Sequence, residues 1–452
     1  MPIRTRPIYG RRMNNIVTAR NSILPTDHLL DKEKILDYDK KRKKTNNLSG
    51  IGEEIMVASH YEKMLLEKSV IRQLSEFATA RGKEIGYENV FDYSLGNPSV
   101  PVPEAVTETM IRLLREKDPM ELHGYSPSLG ITAVREAVAL SLRKRFGVPY
   151  GTEDIFMTAG AAGAIAHAVR AVTEPGDEVL TFAPCFSEYF PYVNGTGAVL
   201  KLVPADTERF QIHFEAFEKM LSPRTAAVLI NTPNNPSGIV YSKETIRTLA
   251  AILERKAGQY GHAIYLISDE PYREIVFAGV EAPFVAAAYS NTLTCYSFSK
   301  SLSLPGERIG YVAVNPACKD AAKIVQMCGQ ISRETGHNCP ASLIQLTIAE
   351  HLDHTSDLTI YETNKNILYR ELLELGISCV EPGGTFYLFP RALEEDAVAF
   401  CEKGRKYDLI LVPGDGFGCP GFFRMAYCID TDKVKRSLPA LRRFVETEYP
   451  QG

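Results

Sequence analysis

The stretch SFSKSLSLPGERIGY, residues 297–311, holds the residues with the clearest chemical potential in the chain. It places Lys300 directly after a run of β-type residues and between serines, and Arg308 follows eight positions later. A lysine in this setting can be a solvated cation, a general base for a serine, or an amine that forms a covalent bond. Each of these roles for Lys300 implies a different class of protein, and the other motifs of the chain discriminate between them.

Short apolar runs predict the strands that must position these residues. They are separated in several places by helical stretches such as 243–255, and amphipathic helices are predicted around 71–78 and 106–114. Near-continuous apolar strands between helices favour an α/β fold whose largely parallel sheet is covered on both faces. From about Pro340 onward, helices mix with strand-like pieces and predict a separate α+β unit. The apolar runs lie at residues 154–158, 178–182, 198–203, 226–231, 263–268, 292–297 and 310–314.

Composition excludes several classes of protein. The 452 residues are long enough for more than one domain, and a formal net charge of −4 gives no reason to expect nucleic acid or a membrane as partner. The nine cysteines are scattered singly, so the sequence indicates neither a metal site nor a disulfide framework. Their odd number and the lack of a signal-peptide pattern favour the cytoplasm. No apolar run approaches the roughly 20 residues needed to cross a bilayer.

Residues 1–55 differ from the rest because they are basic and have no sustained apolar period. We expect a mostly disordered arm there. The run KKRKK could serve a nuclear, nucleic-acid or targeting role, but a solvated tail is the favoured interpretation of so short a run. Met56 begins the first well-patterned segment, so we also consider it as the start of a shorter native protein.

Chemically useful residues follow successive predicted strands, at the sheet edge where ligands bind in such folds. The first strand leads into the small residues 159–163 and then a helix, a turn that exposes N–H groups to an anion, although many βα turns contain glycine. Phe186 follows the second strand and could either stack on a planar ligand or belong to the core. Residues 231–238, NTPNNPSG, combine paired asparagines with two X-Pro bonds, and alone they could form a surface turn.

The remaining strands add the reactive groups. Asp269 ends an apolar strand, where burial is costly unless a cation or donor meets it, and Tyr272 follows closely. Ser297 and Lys300 follow the next strand. Together these groups suit a flat, phosphorylated, basic heterocycle that carries an aldehyde, which is pyridoxal phosphate. The lysine would bond to the aldehyde, and the aspartate would keep the ring nitrogen protonated.

The chain resembles the fold-type I, class I/II pyridoxal-phosphate-dependent aminotransferases, the aspartate aminotransferase superfamily, over about residues 60–450. The motifs are YSPSLGITAVREA, TAGAAGAI, NTPNNPSG, SDEPY, SFSKSLSLPGERIGY and FFRMAY. The resemblance implies a large domain with a seven-stranded, mainly parallel sheet and a smaller α+β domain. The predicted divisions are the arm at 1–55, a segment at 56–105 that belongs with the small domain, the large cofactor-binding domain at 106–338, and the small domain at 339–452.

The resemblance assigns catalytic roles to residues near the ring. Lys300 corresponds to the Schiff-base lysine, which also moves the proton during the reaction. Asp269 corresponds to the partner of the pyridine nitrogen. Asn235 and Tyr272 correspond to the hydrogen-bond donors to the ring phenolate.

The resemblance also assigns residues to the phosphate and to the faces of the ring. The family's phosphate-binding turn corresponds here to Gly160, Ala161 and Ala162. Ser297 and Arg308 correspond to two further phosphate-binding residues. Relatives often carry a polar side chain where Ala162 stands, so contacts there would come from backbone N–H groups alone. Phe186 takes the stacking position where relatives have Trp or Tyr. Tyr125 resembles the tyrosine that reaches the phosphate of the neighbouring subunit, which implies a homodimer.

Substrate recognition is implied at three further positions. Arg424 resembles the clamp for the substrate α-carboxylate, and Gly96 lies in the loop that closes over substrate. Arg333 falls roughly where dicarboxylate-specific relatives place a second arginine, but an exposed helix-end arginine is the favoured reading. The implied substrates are therefore an L-amino acid, with a mild preference for aspartate, glutamate or aromatic donors, and a 2-oxo acid.

Other functions remain to be weighed against aminotransfer. The same fold and cofactor residues also serve β-lyases and decarboxylases. Ser297 and Lys300 formally fit the S-x-x-K motif of β-lactamases, but S-D-N and K-T-G are absent from the sequence, so we reject that reading. An effector-sensing regulator built on an aminotransferase-like domain would need a helix-turn-helix, and residues 1–55 supply no convincing one.

Overall fold

The computed structural model describes residues 70–450, so the predicted arm and Met56 lie outside the described residues. Each predicted apolar run between 154 and 314 forms a strand. In chain order the strands are β1 (Phe91–Asp92), β2 (Ile155–Thr158), β3 (Glu178–Phe182), β4 (Val199–Val203), β5 (Thr225–Asn231), β6 (Tyr265–Asp269), β7 (Thr292–Ser297), β8 (Gly310–Val314), β9 (Tyr387–Leu388), β10 (Leu409–Ile410), β11 (Val412–Pro413) and β12 (Phe423–Ala426).

Helices connect most of these strands. They are α1 (Val70–Ile85), α2 (Glu104–Glu116), α3 (Pro119–His123), α4 (Thr132–Phe146), α5 (Gly160–Val172), α6 (Tyr189–Asn194), α7 (Phe214–Met220), α8 (Lys243–Tyr260), α9 (Phe298–Ser301), α10 (Ala321–Glu334), α11 (Ser342–Ala349), α12 (Thr359–Glu374), α13 (Ala397–Arg405) and α14 (Thr431–Glu448). Short 3₁₀ turns occupy Tyr87–Asn89, Thr152–Asp154, Val285–Ala287 and Gly414–Phe417. Within residues 70–450, no helix has the length and apolarity to span a bilayer.

The central sheet has seven strands in the order β2-β8-β7-β6-β5-β3-β4. Only β8 runs against its neighbours, pairing antiparallel with β2 and β7, while the other pairs of this sheet are parallel. The predicted fold class, with its mainly parallel seven-stranded sheet, is confirmed. Because β2, β3, β5, β6 and β7 point the same way, the segments that follow them meet at one edge.

Both faces of the sheet are buried, which explains the unbroken apolar runs. Along β5, Ala227 and Leu229 join the core beneath α5 and α10, whereas Val228 and Ile230 join the core beneath α8. A strand with alternate residues in two cores cannot carry a polar face. Polar residues are therefore confined to the strand ends, where the candidate site forms.

A second unit of structure packs beside this sheet and contributes one wall of the site. It contains the antiparallel sheet β11-β12-β9, the parallel pair β1-β10 and helices α12 to α14. Their apolar residues form a common core that includes Phe386, Leu388, Phe423 and Met425. The predicted α+β unit is thus present, while the exact domain divisions stay predictions.

The first predicted helices form, but their apolar faces differ in detail from the expectation. In α1 the buried residues are Leu74 and Ala78, while Phe77 is 39% exposed and lies beside the Arg405 guanidinium. In α2, Val106 and Leu113 are buried but Leu114 is 53% exposed. In each helix, fewer apolar residues are buried than the sequence pattern predicts.

Candidate active site

A cavity of about 340 Å³ opens at the edge where the parallel strands end. Most of the residues singled out from the sequence line it. They are Gly96, Ala161, Ala162, Phe186, Asn235, Asp269, Tyr272, Ser297, Lys300, Arg308 and Arg424. Gly160 begins α5 directly beside them. The structure therefore gathers in one place groups that are more than 300 positions apart in the chain.

Strand register brings the central groups together. Asn231 and Asp269 are paired residues at the ends of β5 and β6. The Asn231 side chain donates to the Asp269 carbonyl at 2.9 Å and accepts from the Asn235 backbone N–H at 2.6 Å. Asn231 thus fixes the turn that carries Asn235 relative to the strand that carries Asp269. The Thr232-Pro233 and Asn235-Pro236 bonds in this turn are both cis.

Asp269 is buried and only half satisfied. Its Oδ2 accepts a 2.6 Å hydrogen bond from the Tyr189 hydroxyl, whereas Oδ1 is buried and has no hydrogen-bond partner among residues 70–450. Burial raises the pKa of the Asp269 carboxyl to about 7, and the Tyr189 bond opposes that rise. A buried carboxylate oxygen without a partner suits a ligand that brings its own N–H donor.

Lys300 lies on the one-turn helix α9, immediately after β7. Its Nζ donates to the Gly96 carbonyl at 2.7 Å and lies 5.5 Å from the centre of the Phe386 ring. Burial lowers the pKa of the Lys300 ammonium to about 8, and the charges of Arg308 and Arg424 act in the same direction. A substantial fraction of this amine is therefore neutral and nucleophilic near physiological pH.

The turn between β2 and α5 offers backbone donors to an anion. Gly160 has a left-handed φ of +76°, and a Cβ there would come within 2.9 Å of Arg308 Nη2. No side chain caps the first turn of α5, which leaves its N–H groups available. The Arg308 guanidinium donates to the Ala159 carbonyl at 3.3 Å, and Ser297 lies buried on the same wall. The free N–H groups of α5, the Arg308 guanidinium and Ser297 are together suited to binding a phosphate.

Arg424 is buried at the opposite end of the cavity. It donates to Asn235 Oδ1 at 3.0 Å and makes a short hydrogen bond to the Ser94 carbonyl, while its Nε is buried without a partner. Its guanidinium lies over the rings of Tyr387 and Phe417 at 4.7 and 5.0 Å. Because Arg424 occupies the amide oxygen of Asn235, the Asn235 amide N–H groups are the ones available for a ligand.

Two predicted residues lie outside the cavity of their own chain. Tyr125 is fully exposed on the segment after α3, and it is not among the described residues that line the cavity. Arg333 is exposed in the last turn of α10 and donates to Gln330 at 3.0 Å.

Sequence reasoning did not assign individual roles to three residues that support the site. They are Tyr189, which holds Asp269, Asn231, which holds Asn235, and Tyr387, whose hydroxyl is 3.0 Å from the Tyr272 hydroxyl. Asn231 was visible within NTPNNPSG as a strand-end polar residue. Tyr189 and Tyr387 carry no such signal, since a buried tyrosine in an apolar segment resembles any core residue.

The donor set fits pyridoxal phosphate on the geometry alone. The unpartnered Asp269 oxygen matches a protonated ring nitrogen, the Cβ-free turn with Arg308 matches the phosphate, and the Lys300 amine matches the aldehyde. Phe186 supplies an aromatic wall, and Asn235 with Tyr272 can donate to a ring oxygen.

The chain matches known proteins over most of its length. Residues 88–441 match the family model described as aminotransferase class I and II. A crystal structure of an aminotransferase from Eubacterium rectale superposes with a TM-score of 0.85 at 43% identity, covering 88% of this chain and 100% of that one. An aspartate aminotransferase of Thermotoga maritima is 28% identical over 393 residues, 84% of this chain and 100% of the relative. A probable aspartate/prephenate aminotransferase of Aquifex aeolicus is 31% identical over 392 residues, 81% of this chain and 94% of the relative.

The Tyr189–Asp269 bond gives a prediction that needs no cofactor. Tyr189→Phe removes a donor that stabilises the carboxylate, so the pKa of Asp269 should rise further above its wild-type value of about 7. Infrared titration of the cofactor-free protein, following the carboxyl band that Asp269→Asn deletes, measures this midpoint. Tyr241→Phe, which removes another buried hydroxyl outside the cavity, is the control. An identical midpoint in wild type and Tyr189→Phe would contradict the prediction.

Proposed function

This chain belongs to the aminotransferase class I and II family, and from that membership we propose a role for each residue of its cavity. It is a pyridoxal-phosphate-dependent aminotransferase, which moves an amino group from an amino acid to a 2-oxo acid. The observation that carries the residue assignment is the trio of Asp269, Lys300 and Arg424 in one cavity. One cavity holds a carboxylate oxygen without a donor, an amine with a lowered pKa and a buried guanidinium.

Asp269, Asn235, Tyr272 and the α5 turn are the residues that would hold the cofactor. Bound pyridoxal phosphate supplies an aldehyde to which amines attach and a ring that draws electrons from the substrate α-carbon. Asp269 keeps the ring nitrogen protonated, because its free Oδ1 accepts that N–H, and the Tyr189 bond favours the carboxylate form of Asp269. Residues 160–162, Ser297 and Arg308 bind the phosphate, and Phe186 packs against the ring.

Lys300 has two tasks in this proposal. Its Nζ would bind the cofactor aldehyde, and its neutral amine would act as the base that takes the α-proton of the substrate. A lysine pKa of about 8 suits both tasks, since the neutral amine is accessible and its conjugate acid can return the proton. The short helix α9 lets the side chain swing from the strand end without disturbing β7.

Arg424 binds the α-carboxylate of the substrate. Its Nη atoms, now directed at Asn235 Oδ1 and the Ser94 carbonyl, present a planar donor pair to the cavity. Residues 94–96 contact Arg424 through Ser94 and Lys300 through Gly96. This segment therefore covers substrate and excludes water from the reacting atoms.

The proposed donors are aspartate or glutamate and aromatic amino acids. Relatives named for aspartate and prephenate support this range. Ile71 and Leu95 give the cavity an apolar wall that suits a ring. The cations among its lining residues, Lys300, Arg308 and Arg424, already have roles, so a second carboxylate would need a cation from another copy, such as Arg333.

We also propose a cytoplasmic homodimer in which Tyr125 completes the neighbouring site. Full exposure of Tyr125, with Met120 81% exposed beside it, suits a surface that a second copy covers. All nine cysteines are free thiols, which suits a reducing compartment. A β-lyase or decarboxylase is disfavoured because the relatives are named aminotransferases.

The first test is the absorption spectrum of the purified protein during titration with single amino acids. A visible cofactor band should be converted by an accepted donor, and Lys300→Ala should lose this wild-type band together with more than about 10³-fold of turnover. Lys365→Ala removes a lysine outside the cavity and is the control. A band that no amino acid alters would contradict aminotransfer, and full activity of Lys300→Ala would contradict the assignment of Lys300.

Removal of the Arg424 guanidinium should weaken mainly the binding of the amino donor. Arg424→Gln removes the charge-assisted donor pair, so the KM for the amino donor should rise about 10- to 100-fold. Steady-state kinetics with the donor found in the spectral titration measure the effect. Arg391→Gln, at an exposed arginine that stacks on Phe422, is the matched control. An unchanged KM in Arg424→Gln would place the clamp elsewhere.

Subunit complementation tests the shared site. Tyr125→Ala and Lys300→Ala should each be impaired alone, but coexpression should restore about a quarter of wild-type activity. Random pairing makes half of the dimers mixed, and each mixed dimer has one site with both native residues. Activity no greater than the average of the separate variants would show that Tyr125 does not act across the interface.

A further inference from the structure

Tyr387 contacts two residues of the proposed site, Tyr272 and Arg424, and lies close to a third, Gly96. It belongs to β9, is buried and lines the cavity. Its hydroxyl lies 3.0 Å from the Tyr272 hydroxyl, and its ring lies 4.7 Å from the Arg424 guanidinium carbon. The same hydroxyl fills the space into which a Cβ on Gly96 would point.

Which hydroxyl of the Tyr272–Tyr387 pair donates to the other is fixed once Tyr272 faces an anionic ring oxygen. Each hydroxyl carries one proton, so if Tyr272 donates into the cavity, its own oxygen is left as an acceptor. Across residues 70–450, the Tyr272 oxygen is the hydrogen-bond partner of the Tyr387 hydroxyl. Tyr387 must then donate to Tyr272. A hydroxyl that receives a hydrogen bond is itself a better donor, because such chains polarise one another.

Arg424 makes Tyr387 suited to this task. Burial raises the pKa of Tyr387 to about 12, but the guanidinium over the ring opposes that rise. Burial raises the pKa of Tyr272 well above the ordinary value, and the neighbouring Tyr387 adds to the rise. Both phenols are therefore neutral at physiological pH, and Tyr387, whose pKa is raised less, has the stronger tendency to donate.

We propose that Tyr387 is a positioning residue that holds the Tyr272 proton toward the cofactor ring oxygen. This rests on the proposed role of Tyr272. Tyr387 acts through Tyr272 rather than on the reacting atoms, so removal of its hydroxyl weakens one hydrogen bond to the ring without removing the donor. Its ring, which supports Arg424, is a separate contribution that Tyr387→Phe leaves in place.

The test is a pH titration of the visible absorption of the holoenzyme. A donor to the ring oxygen stabilises its anionic form, so Tyr272→Phe should move the titration midpoint to higher pH. Tyr387→Phe should move it the same way by a smaller amount, about half a pH unit. Tyr150→Phe removes a buried hydroxyl in the core beside Phe284 and should not move it. The KM for the amino donor found in the spectral titration should stay within about twofold of wild type in Tyr387→Phe, because the ring that supports Arg424 remains.

The double variant Tyr272→Phe/Tyr387→Phe decides whether Tyr387 acts through Tyr272. Its midpoint should equal that of Tyr272→Phe, since non-additivity marks residues that work as one unit. An additive further shift, or no shift in Tyr387→Phe alone, would overturn the inference. Absence of a visible band in the wild-type protein would instead overturn the proposed function, so the two failures are distinguishable.

Discussion

The site depends on a carboxylate buried at the end of a central strand. Asp269 lies at the carboxyl end of β6, in a position that excludes water from both oxygens. Burial of an unpaired charge is expensive, and Tyr189 offsets part of that cost through one oxygen. The other oxygen stays without a donor, so the protein alone leaves Asp269 unsatisfied, with a pKa of about 7. A cofactor that brings a ring N–H to this oxygen completes the hydrogen bonding of the fold.

Sheet geometry gives the remaining groups their places relative to that carboxylate. Parallel pairing of β5, β6 and β7 sets Asn231 opposite Asp269 and brings Lys300 one helical turn beyond the neighbouring strand. The antiparallel sheet β11-β12-β9 supplies Tyr387 from β9 and Arg424 from β12, and these two strands pair directly. In the proposed function one wall of the cavity would fix the cofactor and the other would bind the substrate, and the segment at 94–96 contacts both through Lys300 and Arg424.

Much of this arrangement could be predicted from the sequence because its signals are local. Buried parallel strands need unbroken apolar runs, and polar residues directly after such runs must meet at one edge, as Asp269 and Lys300 do. The missed contacts are between elements distant in the chain. Tyr189 and Tyr387 find their partners 80 and 115 positions away, and a single phenol in an apolar segment gives no period or motif. The prediction that Phe77 lies on the buried face of α1 is wrong for a related reason. Only the packed helix shows which of its apolar residues face neighbouring elements.

Electrostatics connect the two walls of the cavity. Lys300, Arg308 and Arg424 line it against two carboxylates, Glu188 and Asp269, and Asp269 titrates near neutrality. Repulsion from Arg308 and Arg424 adds to burial in lowering the pKa of Lys300. An anion paired with Arg308 or Arg424 relieves that repulsion and raises the affinity of Lys300 for a proton. Substrate binding and proton transfer are therefore linked by charge, and a base that gains affinity for a proton as its substrate arrives is suited to removing one.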